Sequence, residues 1–276
     1  MEALNHMDKS LEKASDEAPD EALIETRDGR GVVTLTMNRP ANFNALGEEM
    51  LAALQAALDR LREDASVRVV VLAAAGKAFC PGHNLKEMIA KPSLAYYQQL
   101  FTQCSRMMLA IQKLPVPVIA RVHGIATAAG CQLVAQCDLA VASSAARFAV
   151  SGVNFGLFCS TPSVPLLRNI APKQAMEMLV TGDFITAQQA LERGLVNRVC
   201  APEALDAEVE KLVASILRKP RTAIAMGKEL FYRQREMGIE AAYELASQTM
   251  AVNMMDECAQ EGVGAFTEKR EPAWKA

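Results

Sequence analysis

Twice along the chain an amphipathic helical pattern runs straight into a short, nearly wholly apolar stretch, and this pairing restricts the fold more than any other feature. From Gly47 to Arg62 the residues Met50, Leu51, Leu54, Ala57, Leu58 and Leu61 recur at the spacing of one helical face. The next stretch, Val67 to Ala75, opens on β-branched residues and is apolar at nearly every position, which predicts a strand covered on both faces. A helix over about Leu94 to Gln112 leads into a second such strand, Val116 to Val122, and Leu139 to Ala142 reads as a third parallel one. Helix followed by buried strand is the signature of an α/β domain. Ahead of it, residues 22 to 38 alternate around Asp28-Gly29-Arg30-Gly31 and predict a β-hairpin. After Pro162 strands become scarce. Thr186 is the expected N-cap of a helix over Ala187 to Arg193 with Gly194 as its stop, and Leu195 to Val199 reads as a last short strand. Segments 205 to 218, 222 to 235, 239 to 256 and 260 to 270 read as helices.

A chain of 276 residues with 51% apolar composition can bury one sizeable core. A formal charge of -3 gives no global positive field, so neither nucleic acid nor an anionic membrane is expected as a partner. The seven cysteines are scattered, with no Cys-x-x-Cys pair, and read as free thiols in a reducing compartment rather than as metal ligands. Residues 1 to 21 hold seven acids against two lysines and few apolar residues, a composition expected to be a disordered acidic tail. No arginine-rich presequence or long apolar segment is recognisable, so the expected location is cytosolic.

Two glycine-bearing turns follow strands and enter helical patterns, Gly76 to Met88 and Gly124 to Leu133. Each leaves backbone N–H groups unsatisfied where the helix's partial positive charge collects. Two such donors aimed at one point can hold a developing oxyanion. Neither turn matches a nucleotide-binding fingerprint, and a strand-to-helix connection of small residues is commonly structural.

The segments Thr34 to Pro40 with Asn44-Ala45-Leu46, Lys77 to Met88, Pro117 to Ala120, residues 124 to 133, Cys137-Asp138, Thr181-Gly182, Ala187 and Gly194-Leu195-Val196 together resemble, in order, the crotonases, the enoyl-CoA hydratase/isomerase family. Ala126 to Ala135 and Gly156 to Pro162 carry the likeness to a hydratase domain-containing branch of that family. The resemblance implies a crotonase-like ββα superhelix over 22 to 200, then a C-terminal helical trimerisation region over 201 to 276. It also implies homo-trimers or hexamers and an acyl-CoA ligand, with coenzyme A entering as a thioester rather than as a cofactor. By the same likeness the His83 and Ala129 N–H groups form the oxyanion hole, and Asn84, Leu85, Lys86, Phe266 and Lys269 contact coenzyme A, the last two across a subunit boundary. Read without the resemblance, Lys86 is a solvated helix residue and Phe266 a packing one.

The catalytic pattern breaks at two positions. Where similar hydratases carry water-handling glutamates, this chain has Gln132 and Gly152. A glutamine amide orients a water but neither takes nor gives a proton near neutrality, and glycine offers nothing. Each acid or base is worth roughly 10²- to 10⁴-fold, which argues against ordinary hydration. Ala149 to Pro162 contains no Asp, Glu, His or Lys, but it does contain Cys159, a nucleophile or proton carrier if activated and otherwise an inert buried thiol. The expectation is an enoyl-CoA hydratase-like enzyme with an unidentified proton carrier; the alternative is a non-catalytic acyl-CoA-binding or regulatory oligomer subunit.

Overall fold

The computed structural model describes residues 21–274, so the predicted acidic tail lies outside the described residues apart from Glu21. The expected hairpin is present: β1 (Leu23–Arg27) pairs antiparallel with β2 (Val32–Met37). Asp28 closes its turn, its carboxylate accepting the Arg30 and Val32 N–H groups at 2.8 and 3.0 Å. In α1 (Glu48–Glu63) all six predicted positions are buried. Each leucine so covered contributes about 1.5–3 kcal/mol relative to exposure.

From there a strand–strand–helix unit repeats. β3 (Val69–Ala74) and β4 (Ala78–Cys80) lead to α2 (Leu85–Ala90) and α3 (Leu94–Lys113); β5 (Val118–Val122) and β6 (Ile125–Thr127) lead to α4 (Ala129–Gln136). β7 (Leu139–Ser143) and β8 (Arg147–Ala149) lead through a 3₁₀ turn, Ser151–Phe155, to α5 (Ser160–Asn169). The first strand of each unit joins a six-stranded sheet, and the second joins a separate sheet beside it. This is the expected ββα superhelix.

The chain continues through α6 (Pro172–Thr181), β9 (Ile185–Thr186), α7 (Ala187–Glu192) and β10 (Arg198–Cys200). Strand order is β1-β2-β3-β5-β7-β10 in the large sheet and β4-β6-β8-β9 in the small one. Thr186 caps α7 in a reciprocal box with Gln189. The last strand begins at Arg198 rather than Leu195, because Leu195 and Val196 turn into the core instead.

The remaining helices are α8 (Leu205–Leu217), α9 (Arg221–Gln234), α10 (Ile239–Met254) and α11 (Glu257–Thr267). α1 and α3 cover one face of the large sheet, and Leu205, Val209 and Val213 of α8 cover Val69, Val71, Ile119 and Val141 on the other. α9 is anchored by Lys228, whose Nζ donates to Asp138 Oδ2 at 2.6 Å and to the Ile111 and Val116 carbonyls at 3.0 and 2.9 Å. Asp138 also accepts from Val118 N–H and Tyr232 O–H, both at 2.7 Å, and so is a structural acceptor.

Candidate active site

β4 and β6 pair in parallel, Ala78 with Ile125 and Cys80 with Ala126, so the two glycine-bearing turns leave the small sheet side by side. Helix α4 starts hard against β4: a Cβ on Gly130 would lie 2.0 Å from the Cys80 carbonyl oxygen, an approach only glycine permits. The turns touch each other, since a Cβ on Gly82 would fall 3.2 Å from the Ala129 nitrogen. Between them Ala128 adopts φ 49° and ψ -120°, a conformation that costs a non-glycine residue about 1–3 kcal/mol and concentrates at functional sites.

The Ala128 N–H donates to the Ala149 carbonyl at 3.0 Å. The next amide, Ala129, has no acceptor among the described residues although the residue is only 1% exposed, and the His83 amide likewise has none. A buried amide without a partner is rare, and the Ala129 amide at a helix start, beside the half-buried His83 amide at the adjoining turn, offers two donors that an anion could accept.

These turns open into a cavity of about 520 Å³ whose walls are mostly apolar, with Phe43, Met88, Phe101, Phe155, Leu157 and Phe158 among them. Its titratable lining groups are His83, Lys86 and Cys159. His83 Nδ1 lies 3.1 Å from the Leu46 carbonyl oxygen. A carbonyl only accepts, so in the neutral ring Nδ1 carries the proton and Nε2 keeps a lone pair. That Nε2 is buried without a partner. The ring stands edge-on to Phe101 at 5.4 Å, and burial pushes its pKa down, so the imidazole is held neutral.

Gln132 and Gly152, the two positions that the resemblance pairs with glutamates, are placed differently. Gln132 is 4% exposed, lies off the cavity wall one turn into α4, and buries Oε1 without a partner. Gly152 lies on the wall, but its side-chain direction is occupied: a Cβ there would be 2.4 Å from the Leu157 carbonyl oxygen and 2.8 Å from Cys159 Sγ. The Gly152 N–H donates to that sulfur at 3.3 Å. Burial pushes the Cys159 thiol's pKa up, opposed only by this hydrogen bond, so near neutrality it stays S–H. A thiol rather than a thiolate favours proton carrying over nucleophilic attack. Cys131, fully enclosed in α4, is pushed up to about 12 and is inert.

Asn84, on the wall, caps α2, accepting from Lys86 N–H at 3.2 Å and donating to Glu87 at 2.7 Å. The Glu87 carboxylate also accepts the Glu48 N–H at 3.1 Å at the start of α1, and Glu87 is not on the wall. Leu85 and Lys86 are exposed on the cavity wall. Phe266, 84% exposed, and Lys269, just past α11, do not reach the cavity within one chain. His123 bonds the Gly76 carbonyl at 3.0 Å as a packed strand-end residue. The aromatic wall escaped the sequence reading, because Phe43, Phe101 and Phe158 come from three distant segments that share no spacing. Among the described residues no group of His, Cys, Asp or Glu is placed to hold a metal, and no helix is long and apolar enough to cross a membrane.

The family model for enoyl-CoA hydratase/isomerase matches residues 27–276. The mitochondrial enoyl-CoA hydratase domain-containing protein 3 of Xenopus laevis is 44% identical over 244 residues, 88% of this chain and 83% of that one. Among solved structures, an enoyl-CoA hydratase from Mycobacterium smegmatis is 66% identical with a TM-score of 0.92, covering 92% of this chain and 99% of that one. Human enoyl-CoA hydratase domain-containing protein 3 is 40% identical with a TM-score of 0.88, covering 92% and 100%. The branch read from Ala126 to Ala135 and Gly156 to Pro162 is thereby borne out. The cytosolic expectation is overturned: the frog, mouse and human relatives of that branch are all named mitochondrial. That expectation rested only on the lack of a recognisable presequence, and an absence of that kind decides nothing.

Proposed function

We propose that this chain, which belongs to the enoyl-CoA hydratase/isomerase family, binds an acyl-CoA thioester and polarises its carbonyl between the His83 and Ala129 amides. The observation that carries the reading is the pair of partnerless N–H groups at adjoining turns above an apolar cavity. A thioester oxygen that accepts both has its developing negative charge stabilised, and the α C–H bond is acidified as the enolate becomes accessible. The apolar wall suits the acyl chain, while exposed Lys86 offers a cation to the phosphates of coenzyme A. Phe266 and Lys269 would serve a neighbouring subunit of a homo-trimer or hexamer. Support for assembly comes from α10, where Ile239, Tyr243, Met250 and Met254 share one helical face and are all exposed.

Ordinary hydration is not part of the proposal. It needs a carboxylate to handle water, and the cavity wall contains none among the described residues. The test is calorimetric binding of acetyl- and butyryl-CoA alongside turnover of enoyl-, malonyl- and hydroxyacyl-CoA thioesters. Binding that is lost in an Ala129→Pro variant, which removes one amide donor, supports the oxyanion assignment; binding that persists there overturns it. A second reading, a non-catalytic acyl-CoA-binding or regulatory subunit, is favoured by the enclosed Gln132 and the filled space at Gly152. Tight binding with no turnover of any thioester would select it.

A further inference from the structure

We infer that the Cys159 thiol exchanges a proton with the α-carbon of the bound thioester, from the place on the cavity wall where a side chain at 152 would otherwise project. The inference rests on the acyl-CoA reading and adds a proton carrier to it. Cys159 lines the same cavity as the partnerless amides, and its sulfur is fixed by the Gly152 N–H at 3.3 Å, 2.8 Å from where a Cβ at 152 would stand. Of the three titratable groups on the wall, Lys86 is exposed. His83 presents a partnerless Nε2, but that atom is shielded from solvent and its ring is tied to Leu46 and packed on Phe101. A lone pair left unpaired beside an apolar cavity marks a site whose occupant supplies polar atoms.

The resting thiol first gives its proton to solvent, a fraction that grows as pH rises; in the forward step that Cys159 thiolate takes the α-hydrogen. The C–H bond breaks, its electron pair forms the enolate double bond, the carbonyl pair moves onto the oxygen held by the two amides, and S–H forms. The reverse step returns a proton to carbon and restores the thiolate. No oxidant or other reactant is consumed. Burial and the Gly152 N–H govern this sulfur, with the Cys131 thiol of α4 as its titratable neighbour and no charged side chain acting on it. In D₂O the S–H equilibrates with solvent, so the α-carbon acquires deuterium.

The experiment incubates the full-length protein with acetyl- or butyryl-CoA in D₂O, reads α-deuterium by mass spectrometry across pH, and measures affinity alongside. Wild type is expected to exchange faster as pH rises beyond neutrality, and Cys159→Ala to lose roughly 10²- to 10⁴-fold of that rate with affinity retained. Cys159→Ser, which keeps the wall nearly isosteric, guards against a folding defect and should also lose exchange. Exchange that survives in both variants, exchange lost only in His83→Gln, or no exchange by a wild type that binds overturns the inference. Failure of wild type to bind either thioester overturns the acyl-CoA reading instead.

Discussion

Cys159 Sγ sits 2.8 Å from the point where a side chain on Gly152 would begin, and the Gly152 N–H donates to it at 3.3 Å. The space in front of Gly152, where the resemblance expects a carboxylate, is therefore filled from the other end of the same loop rather than left open. The Leu157 carbonyl oxygen, 2.4 Å from that point, closes it with backbone as well.

Introducing carboxylates by Gln132→Glu with Gly152→Glu is accordingly expected to give no hydratase. The new side chain at 152 must displace backbone, and overpacking of this kind costs about 1–3 kcal/mol. Loss of the crotonyl-CoA double-bond absorbance, read with a urea denaturation curve, checks both halves. Appearance of hydration without destabilisation would show the loop to be pliable.

The strain at Ala128 gives a second expectation. Ala128→Gly removes a conformational cost of about 1–3 kcal/mol, offset by about 0.4–1 kcal/mol of added freedom in the unfolded chain, so the net is a small stabilisation. The same freedom loosens the Ala129 amide, so acyl-CoA affinity should fall while the melting temperature rises. Gly130→Ala should do the reverse of helping either, because Cys80 backbone stands 2.0 Å from the added carbon.

The long elements were legible because each carries a full period of its pattern. The six buried positions of α1 and the apolar run of β3 are read directly from residue order. The small sheet was not: β4, β6 and β8 have three residues each and β9 two, too few for an alternation. They exist because Cys80 meets Ala126, and Ala126 meets Phe148, across distant sequence. Gly152 read as an empty catalytic position for the same reason, since Cys159 fills its space only after the loop closes.

Lys228 is the anchor of α9, bonded to Asp138 and to two carbonyls while nine-tenths or more buried. Lys228→Met leaves the Asp138 carboxylate buried without its cation, which is expected to cost about 3–5 kcal/mol. Adding Asp138→Asn should recover part of the loss, since it removes the uncompensated charge, its amide oxygen still accepts the Val118 N–H, and the Tyr232 hydroxyl can turn to accept from its NH2. Chemical denaturation of the two variants and the double variant measures the coupling.

His83 sets a direction for stability against pH. Burial holds its folded pKa below the ordinary 6.5, so below that pH the unfolded chain binds a proton that the fold refuses. Stability should therefore fall as pH drops through 6.5, by at most about 1.4 kcal/mol per pH unit for this one group. His123, also pushed down by burial, contributes in the same direction, so the measurement is the difference in slope between wild type and His83→Gln. An unchanged slope would mean that the folded imidazole takes up its proton as readily as the unfolded one.

The exposed face of α10 makes assembly testable without reference to catalysis. Ile239, Tyr243 and Met250 are each more than 70% exposed, and with Met254 they fall within one stripe, a pattern that a helix facing only water does not need. Covering that stripe with a second copy would remove apolar area at roughly 25 cal/mol per Å², whereas a charge placed in it would have to be desolvated. Sedimentation velocity of wild type should show a species larger than one chain, and Tyr243→Glu with Met250→Glu should reduce it to monomer with the far-ultraviolet spectrum retained. If Phe266 and Lys269 serve a neighbour's coenzyme A, the same double variant should also lose acyl-CoA affinity, although neither substituted residue lines the cavity.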